Sequence, residues 1–180
     1  MPWELSLPAD EILRIKPIRE LECLRYNEMV ESDLTVKAGE LYKLKEISGD
    51  TVELAFTIKP TQAVAFGVKV LCDKSNKNGL NIFYSVGEKR ISARDEKEVK
   101  DPDANTRAYA DAPFELKARK DLNLRIFIDR SLVEIFINDR QAIVQMHLYQ
   151  PEDVGICLYS EGGNIEAGVM GWKMAASNQW

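Results

Sequence analysis

The chain has 180 residues, of which 24 are Lys or Arg, 29 are Asp or Glu and one is His. This length fits one domain, and a hydrophobic fraction of 45% is enough for a core, which excludes an intrinsically disordered chain. A net charge of −5 and a pI near 5.1 argue against a nucleic-acid-binding protein that relies on a field of positive charge.

The N-terminal segment differs from the rest of the chain. Residues 4–7 and 12–16 are predicted to pair as a hairpin, and residues 18–25, which follow Pro17, are predicted to form a short helix. We therefore divide the chain into an N-terminal hairpin with a linker helix, residues 1–25, and a second module, residues 26–180.

Alternation of apolar and polar residues dominates the second module. Residues 51–58 alternate cleanly, and polar turn residues separate further predicted strands at 63–71, 80–85 and 89–93. Residues 94–112 carry many charges and are predicted to form a solvated loop between two strands.

The clearest pattern lies between residues 122 and 149. Strands at 122–129, 132–138 and 142–149 are joined by short turns and are predicted to form a meander. Their predicted inward faces include Leu122, Leu124, Ile126, Ile128, Val133, Ile135 and Ile137. Strands at 154–159 and 165–172 follow, so the chain is predicted to be all-β, as an antiparallel β-sandwich or a barrel.

Few residues offer catalytic chemistry. Glu134 lies in mid-strand between apolar neighbours, and we interpret it as a strand glutamate on the solvent face. A Ser–His or Cys–His site would depend on His147, which we interpret as a histidine on the sheet surface or partly buried. The sequence holds neither a Gly-x-Ser-x-Gly turn nor a P-loop. We therefore expect no catalytic residue and no cofactor.

Metal binding is not predicted either. A single histidine excludes paired-histidine zinc sites. Residues 73–79 superficially resemble a calcium loop, but EF-hand spacing would place Lys77 at a ligand position and Asn78 where a glycine is required. We predict a polar hairpin loop there, and we interpret Cys23, Cys72 and Cys157 as reduced thiols packed as small hydrophobic residues.

Four aromatic residues are candidate platforms for stacking a sugar ring, since sugar-binding β-sandwiches expose aromatic faces beside polar side chains. They are Tyr84, Tyr109, Tyr159 and Trp172. Each also fits a core or sheet-packing role, because aromatic residues favour strands. The sequence singles out none of them, so the sugar-binding residues are left unassigned.

No run of about 18 apolar residues is present, so we predict no membrane-spanning helix and no membrane partner. The first residues show no basic region followed by an apolar one, and no signal peptide is predicted. The localisation stays open: cytoplasmic for a complete chain, secreted for a longer parent with a cleaved signal.

Residues 124–142, with the run Phe-Ile-Asp-Arg-Ser-Leu-Val-Glu-Ile-Phe at their centre, resemble the signature hairpin of the C-terminal β-sandwich domain in glycoside hydrolase family 32. That family contains invertases, levanases, inulinases and other β-fructosidases. Residues 65–71, 112–117, 154–163 and 171–178 resemble further segments of the same domain in order and spacing, and residues 1–25 resemble the last propeller strands and the linker helix. The resemblance implies a two-sheet, concanavalin-like (lectin-like) antiparallel β-sandwich.

The resemblance also implies that the catalytic residues are missing. In this family they lie in an N-terminal five-bladed propeller, within Trp-x-Asn-Asp-Pro-x-Gly, Arg-Asp-Pro and Glu-Cys motifs. The first motif has no counterpart here, and Arg94-Asp95 is followed by Glu96 instead of proline. Residues 100–102 read Lys-Asp-Pro and lack the arginine, while Glu22-Cys23 falls in the linker-helix segment. None of these residues inherits a catalytic role.

The leading hypothesis is a non-catalytic C-terminal module of a fructan- or sucrose-cleaving enzyme, whose partner is the catalytic propeller. By resemblance, the parent reaction is retaining hydrolysis of β-fructosyl linkages through a covalent fructosyl-enzyme intermediate. A free-standing carbohydrate-binding module for fructo-oligosaccharides is one alternative, and a self-associating structural module that forms a homodimer is another.

Overall fold

The computed structural model describes residues 1–60, 62–95, 109–117 and 120–176. Within these ranges, the elements in chain order are β1 (Trp3–Ser6), β2 (Arg14–Pro17), a 3-10 helix (Arg19–Leu24), β3 (Arg25–Val36), β4 (Leu41–Lys43), β5 (Thr51–Pro60), β6 (Ala65–Cys72), β7 (Leu80–Ser85), β8 (Arg90–Asp95), β9 (Tyr109–Pro113), β10 (Leu122–Asp129), β11 (Leu132–Ile137), β12 (Gln141–Met146), β13 (Gly155–Glu161) and β14 (Ile165–Met174).

Twelve of the described strands form two six-stranded antiparallel sheets. The first sheet has the order β12-β11-β10-β5-β14-β3, and the second has the order β4-β13-β6-β7-β8-β9. Strands β1 and β2 pair with each other as a separate hairpin, with Leu5 opposite Ile15. The predicted all-β, two-sheet antiparallel β-sandwich is therefore confirmed.

The predicted meander is β10-β11-β12. Its register places Ile126 opposite Ile135, and Ile135 opposite Ile143, so apolar residues stack in rows across the three strands. All seven residues that the sequence assigned to the inward faces of β10 and β11 are buried in the core cluster. The large side chains of Leu54, Phe56 and Phe66 fill the space between the two sheets.

The predicted helix at residues 18–25 is a short 3-10 helix over Arg19–Leu24, and none of its residues is buried. Six residues provide less than two α-helical turns, and Arg25 has already adopted extended backbone angles. Strand β3 begins directly at Arg25. The division of the chain at residues 25 and 26 stays a prediction.

Strand β3 was not predicted, because it lacks the alternation on which the sequence analysis depended. It is the edge strand of the first sheet, and most of its residues are exposed or half-buried. Its pairing with β14 is interrupted twice by shifts in register, and Asn27 and Asp33 adopt positive φ angles of 52° and 55°. Such irregularities disrupt a period of two.

The solvated loop predicted at residues 94–112 is partly wrong. Arg94 and Asp95 end β8, and residues 109–112 belong to β9, while residues 96–108 lie outside the described residues. An ion pair between Arg90 and Asp111, together with a 2.7 Å hydrogen bond from Ser92 Oγ to Asp111 Oδ1, holds β9 on β8. Charged residues here stabilise a strand pair, which the composition does not reveal.

Across the part of the chain that is described, no helix has the length and the apolar character needed to cross a membrane.

Candidate functional site

The N-terminal hairpin lies on the outer face of the first sheet, beside β11 and β12. The Trp3 and Phe136 rings pack edge to face, with ring centroids 5.7 Å apart and planes at 79°. The backbone N–H of Ile15 donates to the carbonyl of Asp139 at 2.8 Å. The hairpin is therefore attached to the sandwich through both side-chain and backbone contacts.

Glu134 accepts hydrogen bonds that anchor the N-terminal hairpin on the sheet. It points away from the core, between Phe127 and Val144 in the cross-strand row, yet it is only 5% exposed. Its Oε2 accepts a hydrogen bond from Trp3 Nε1 at 2.9 Å, and its Oε1 accepts one from the Met1 amino group at 2.6 Å. The prediction that Glu134 faces solvent is wrong, because strand alternation gives the face of a residue but not what covers that face.

Around this contact, the hairpin and β12 expose many apolar side chains. Leu7 is 68% exposed and Leu148, just beyond β12, is 75% exposed. We give the name docking surface to six exposed apolar side chains of these two segments: Leu5, Leu7, Leu13, Val144, Met146 and Leu148. Strand β2 contacts β12, which brings the two contributing elements together. Exposed apolar side chains on adjacent elements are a feature of surfaces that another protein or domain covers.

A buried ionic cluster lies on the same outer face. Glu53 is fully buried and accepts hydrogen bonds from Arg25 Nε and Nη2 at 2.8 and 2.6 Å and from Arg125 Nε at 2.5 Å. The Arg25 guanidinium also stacks on Trp172, 4.1 Å from the ring centroid. The hydrogen bonds that Arg25 donates to Glu53 raise the pKa of Arg25 above its ordinary value, although burial opposes that effect.

This ionic cluster joins four strands at one point. Arg25 begins β3, Glu53 is in β5, Arg125 is in β10 and Trp172 is in β14. Because Arg25 directly follows the 3-10 helix, Glu53 anchors the junction between the N-terminal segment and the sandwich. A carboxylate that is occupied by two guanidinium groups positions structure rather than transferring protons, so the cluster favours a structural role.

His147 connects the two sheets. It is 1% exposed, and its Nδ1 lies 2.9 Å from Oδ2 of Asp95, the last residue of β8. Its backbone N–H donates to the carbonyl of Ser131 at 2.8 Å. The prediction of a surface or partly buried histidine is therefore wrong. The Asp95 partner belongs to the segment that the sequence analysis assigned to a solvated loop, so the pair could not be foreseen.

The candidate sugar platforms have different environments. Tyr84 is buried in the core, where its hydroxyl accepts a hydrogen bond from the Leu116 N–H at 3.2 Å. Trp172 is 8% exposed, lies under Arg25 and donates from Nε1 to Glu28. The Tyr109 side chain lies outside the described residues. Tyr159 is half-exposed on the outer face of the second sheet.

Tyr159 lies at a groove of about 280 Å³, which we call the Tyr159 groove. The residues that shape it are Glu40, Leu41, Lys69, Asn81, Tyr159 and Glu161. Cross-strand pairing explains their proximity, since Tyr159 lies opposite Leu41 of β4 and Gly67 of β6, and Lys69 lies opposite Asn81 of β7. An aromatic ring is thus placed beside amide and carboxylate groups.

The loop at residues 73–79 joins the paired strands β6 and β7, as predicted. The Asp73 carboxylate accepts hydrogen bonds from Ser75 Oγ at 2.8 Å and from Asn78 Nδ2 at 2.6 Å. The Ser75 hydroxyl makes the largest contribution to lowering the pKa of Asp73 below its ordinary value. Among the described residues, no three His, Cys, Asp or Glu side chains are grouped to hold a metal ion.

The three cysteines are free thiols in different environments. Cys72 and Cys157 are buried, and a hydrogen bond between their side chains is the main factor that lowers the pKa of Cys157. Cys23 is exposed in the 3-10 helix, so the prediction that all three pack as small hydrophobic residues is wrong for Cys23.

A family model and the curated relatives both match this chain to one family of proteins. The family model for the C-terminal region of the glycosyl hydrolases of family 32 matches residues 20–173. A levanase of Bacillus subtilis (strain 168) is 34% identical over 179 residues, which cover 92% of this chain and 25% of the levanase. A sucrose-6-phosphate hydrolase of Escherichia coli is 29% identical over 162 residues, covering 89% of this chain and 31% of that enzyme. The chain therefore spans about a quarter to a third of the length of these relatives.

The fold is shared with solved structures. Fructan 1-exohydrolase IIa from Cichorium intybus superimposes with a TM-score of 0.83 at 17% identity, over 98% of this chain and 41% of that protein. An exo-inulinase from Aspergillus awamori superimposes with a TM-score of 0.76 at 16% identity, over 97% of this chain and 35% of that protein.

Proposed function

Because this chain belongs to the C-terminal domain family of the glycosyl hydrolases of family 32, we propose that it is a non-catalytic accessory module that packs against the catalytic domain of a β-fructosidase. The docking surface is the observation that carries this proposal. It places exposed leucine, valine and methionine side chains beside the N-terminal hairpin, where a preceding domain would join the chain.

The mode of attachment follows from the N-terminal contacts. Trp3 and Glu134 fix the hairpin on β11, and the Glu53 cluster fixes the residues that follow the 3-10 helix. A catalytic domain that leads into the hairpin would therefore be held in one orientation over β12. Burying the docking surface would then stabilise both domains, since each buried apolar Å² contributes roughly 25 cal/mol.

The substrate of the whole enzyme is proposed from the relatives. Their names refer to levan and to sucrose 6-phosphate, and both a fructan exohydrolase and an exo-inulinase share the fold. We therefore propose that the parent activity is hydrolysis of β-fructosyl linkages, with the catalytic carboxylates outside this chain.

Fructose release tests the non-catalytic assignment. The purified chain is incubated with sucrose, inulin and levan, and free fructose is measured against a family 32 enzyme as positive control. We expect no release above the rate of the buffer. Turnover that a substitution within this chain abolishes would contradict the proposal.

A homodimer is the competing use of the docking surface. Sedimentation at several concentrations measures the oligomeric state and so distinguishes docking on a catalytic domain from homodimer formation. It is carried out on the wild-type chain and on a chain carrying Met146→Asp. If the accessory role is correct, a catalytic domain added in trans binds the wild-type chain and not the variant. A wild-type chain that forms a stable dimer through this surface and ignores the catalytic domain favours the self-associating module instead.

A further inference from the structure

Two of the cysteine side chains meet on the second sheet. Cys72 ends β6 and Cys157 lies in β13, the strand that pairs with β6, and a hydrogen bond joins the two thiols. We propose that this pair is a redox site, in which hydrogen peroxide oxidises Cys157 and Cys72 then closes a disulfide between β13 and β6. The site belongs to the sandwich alone, so it is independent of docking on a catalytic domain.

A bulge in β6 turns both cysteines to one face of the sheet. Cys72 lies opposite Gly155, whereas Cys157 lies opposite Lys69, so the register shifts between the two pairs. The extra residue on β6 allows residues 70 and 71 both to enter the core, which leaves Lys69 and Cys72 on the outer face. The neighbours of Cys157 in β13 also enter the core, so its sulfur lies on that outer face as well.

Lysines flank Cys157 on both neighbouring strands. Cys157 lies opposite Lys43 of β4 and opposite Lys69 of β6. Residues directly opposite each other across antiparallel strands have Cβ atoms about 5 Å apart, so two cationic side chains border the sulfur. The hydrogen bond from Cys72 is the largest factor that lowers the pKa of Cys157, and both lysines add to it, although burial opposes them. Because the thiolate is the nucleophilic form, Cys157 is the thiol that reacts first.

The two sulfurs are buried beside the Tyr159 groove. Cys157 is 0% exposed and Cys72 is 1% exposed, and Lys69, which lies opposite Cys157, also lines that groove. A Cβ atom on Gly79 would lie 3.2 Å from the Cys72 Sγ, so the glycine leaves room for the sulfur. Hydrogen peroxide is small and neutral, and a narrow approach from the groove therefore admits it while excluding bulky thiol reagents.

The oxidation has two steps. The Cys157 thiolate attacks one oxygen of hydrogen peroxide, the O–O bond breaks, and the proton released by the thiol completes a water molecule, which leaves a sulfenic acid. The Cys72 sulfur then attacks the Cys157 sulfur, an S–S bond forms as the S–O bond breaks, and hydroxide leaves with the Cys72 proton as a second water molecule. Two thiols thus lose two electrons, and one peroxide is reduced to two water molecules.

The disulfide would join distant parts of the chain. The loop that it closes contains all strands from β7 to β12. Cross-linking a long loop stabilises a protein chiefly by restricting the unfolded chain. We therefore expect the oxidised chain to unfold at a higher urea concentration than the reduced chain, and reduction with dithiothreitol to reverse the difference.

The test uses the full chain carrying Cys23→Ser, which removes the exposed thiol. The folded chain is exposed to hydrogen peroxide, the remaining thiols are blocked, and peptides are analysed by mass spectrometry. We expect a cross-linked peptide pair that contains Cys72 and Cys157 and that disappears on reduction. In urea, where the fold no longer holds the sulfurs together, the yield of this disulfide should be at least about fivefold lower.

Substitutions distinguish the roles of the two thiols. With Cys72→Ser, the oxidation should stop at the sulfenic acid, which dimedone traps on Cys157. Cys72→Ala provides a second variant if Cys72→Ser fails to fold. With Cys157→Ser, Cys72 should react with peroxide at least about tenfold more slowly than Cys157 does in the unsubstituted pair.

The lysine next to Cys157 on the edge strand is tested through its charge. Lys43→Met should slow the oxidation about twofold or more, whereas Lys43→Arg keeps the positive charge and should retain the rate. The matched control is Lys59→Met, at an exposed lysine on β5 of the first sheet, which should leave the rate unchanged.

If Cys72 and Cys157 stay unlinked in the folded, peroxide-treated chain, the proposal is wrong. Equal disulfide yields in folded and unfolded chains, or a urea midpoint that does not rise on oxidation, would also overturn it. None of these results bears on docking, because docking is measured with a catalytic domain.

Discussion

At the scale of single residues, Glu53 is held by two arginine side chains. A fully buried carboxylate is stable only because Arg25 and Arg125 both donate to it. We predict that Glu53→Gln lowers the free energy of unfolding by about 2 kcal/mol or more, because two guanidinium groups lose their charged partner. Urea unfolding followed by tryptophan fluorescence measures this, since Trp172 lies against Arg25.

Glu152→Gln is the control for that substitution, because Glu152 is exposed in a turn. Its stability should stay within about 0.5 kcal/mol of the wild-type chain. Equal stabilities for the Glu53 and Glu152 variants would show that the ionic cluster contributes nothing.

Tyr149 gives the fold a dependence on alkaline pH. Its hydroxyl donates to Asp50 Oδ2 at 2.8 Å, and burial, followed by Asp50, raises the pKa of Tyr149 above its ordinary value of 10.0. A raised pKa means that the folded state holds this proton more tightly than the unfolded state. The resulting stability is fully present below pH 10.0 and is lost as the pH rises through the pKa of the folded protein.

We therefore predict that Tyr149→Phe costs about 1 kcal/mol at neutral pH, through the lost hydrogen bond. The difference in stability between this variant and the wild-type chain should shrink at about pH 11. Urea unfolding at both pH values measures it. A difference that stays constant across this range would mean that the Tyr149 proton is held no more tightly in the folded state.

Residue identity alone did not reveal these contacts. The alternation of β11 placed Glu134 on the outer face correctly, but its burial comes from Trp3, which lies 131 positions away in the chain. His147 likewise meets Asp95 from the other sheet. Long-range contacts of this kind depend on the assembled topology, so a local pattern gives the face of a residue and not its partner.

At the scale of elements, the N-terminal hairpin is attached through a few specific contacts. Trp3 covers Phe136 and donates to Glu134, while Leu5 on the same strand is 61% exposed. We predict that Trp3→Ala lowers the free energy of unfolding by about 1–2 kcal/mol. In the isolated chain, Leu5→Ala should change it by less than about 0.5 kcal/mol. Thermal unfolding of both variants provides the comparison, and equal losses would mean that the hairpin is not held through Trp3.

The elements that the sequence predicted best are those with one side in the core. Strands β5, β10 and β11 alternate because one face packs between the sheets, so their periods and inward residues were predictable. Strand β3 lies at an edge and has register shifts, and β9 depends on the ion pair of Arg90 and Asp111. Strands β3 and β9 form because they pair with a neighbouring strand rather than because one face is buried. The local alternation of residues does not indicate such pairing.

At the scale of the whole molecule, the two sheets present different outer faces. The first sheet carries the N-terminal hairpin on β11 and β12 together with the docking surface, and the second sheet carries the Tyr159 groove. The sequence alone did not predict which residues would form the docking surface or the Tyr159 groove. The sequence suggested Tyr159 as one of four aromatic candidates, and only the strand pairing placed it beside Lys69 and Asn81.

We propose that the docking surface holds this module on a catalytic domain. A chimera in which this chain replaces the matched segment of the Bacillus subtilis levanase tests it by calorimetry. We predict that the chimera unfolds in a single transition, because burial of the docking surface couples the two domains.

The decisive comparison is the same chimera carrying Met146→Asp and Leu148→Asp, two substitutions at exposed positions, with the Tm of the isolated chain carrying both substitutions measured beside it. The charged side chains should prevent docking and split the transition into two, with the sandwich unfolding at the temperature of the isolated chain. A single transition at an unchanged Tm in the substituted chimera would contradict the account.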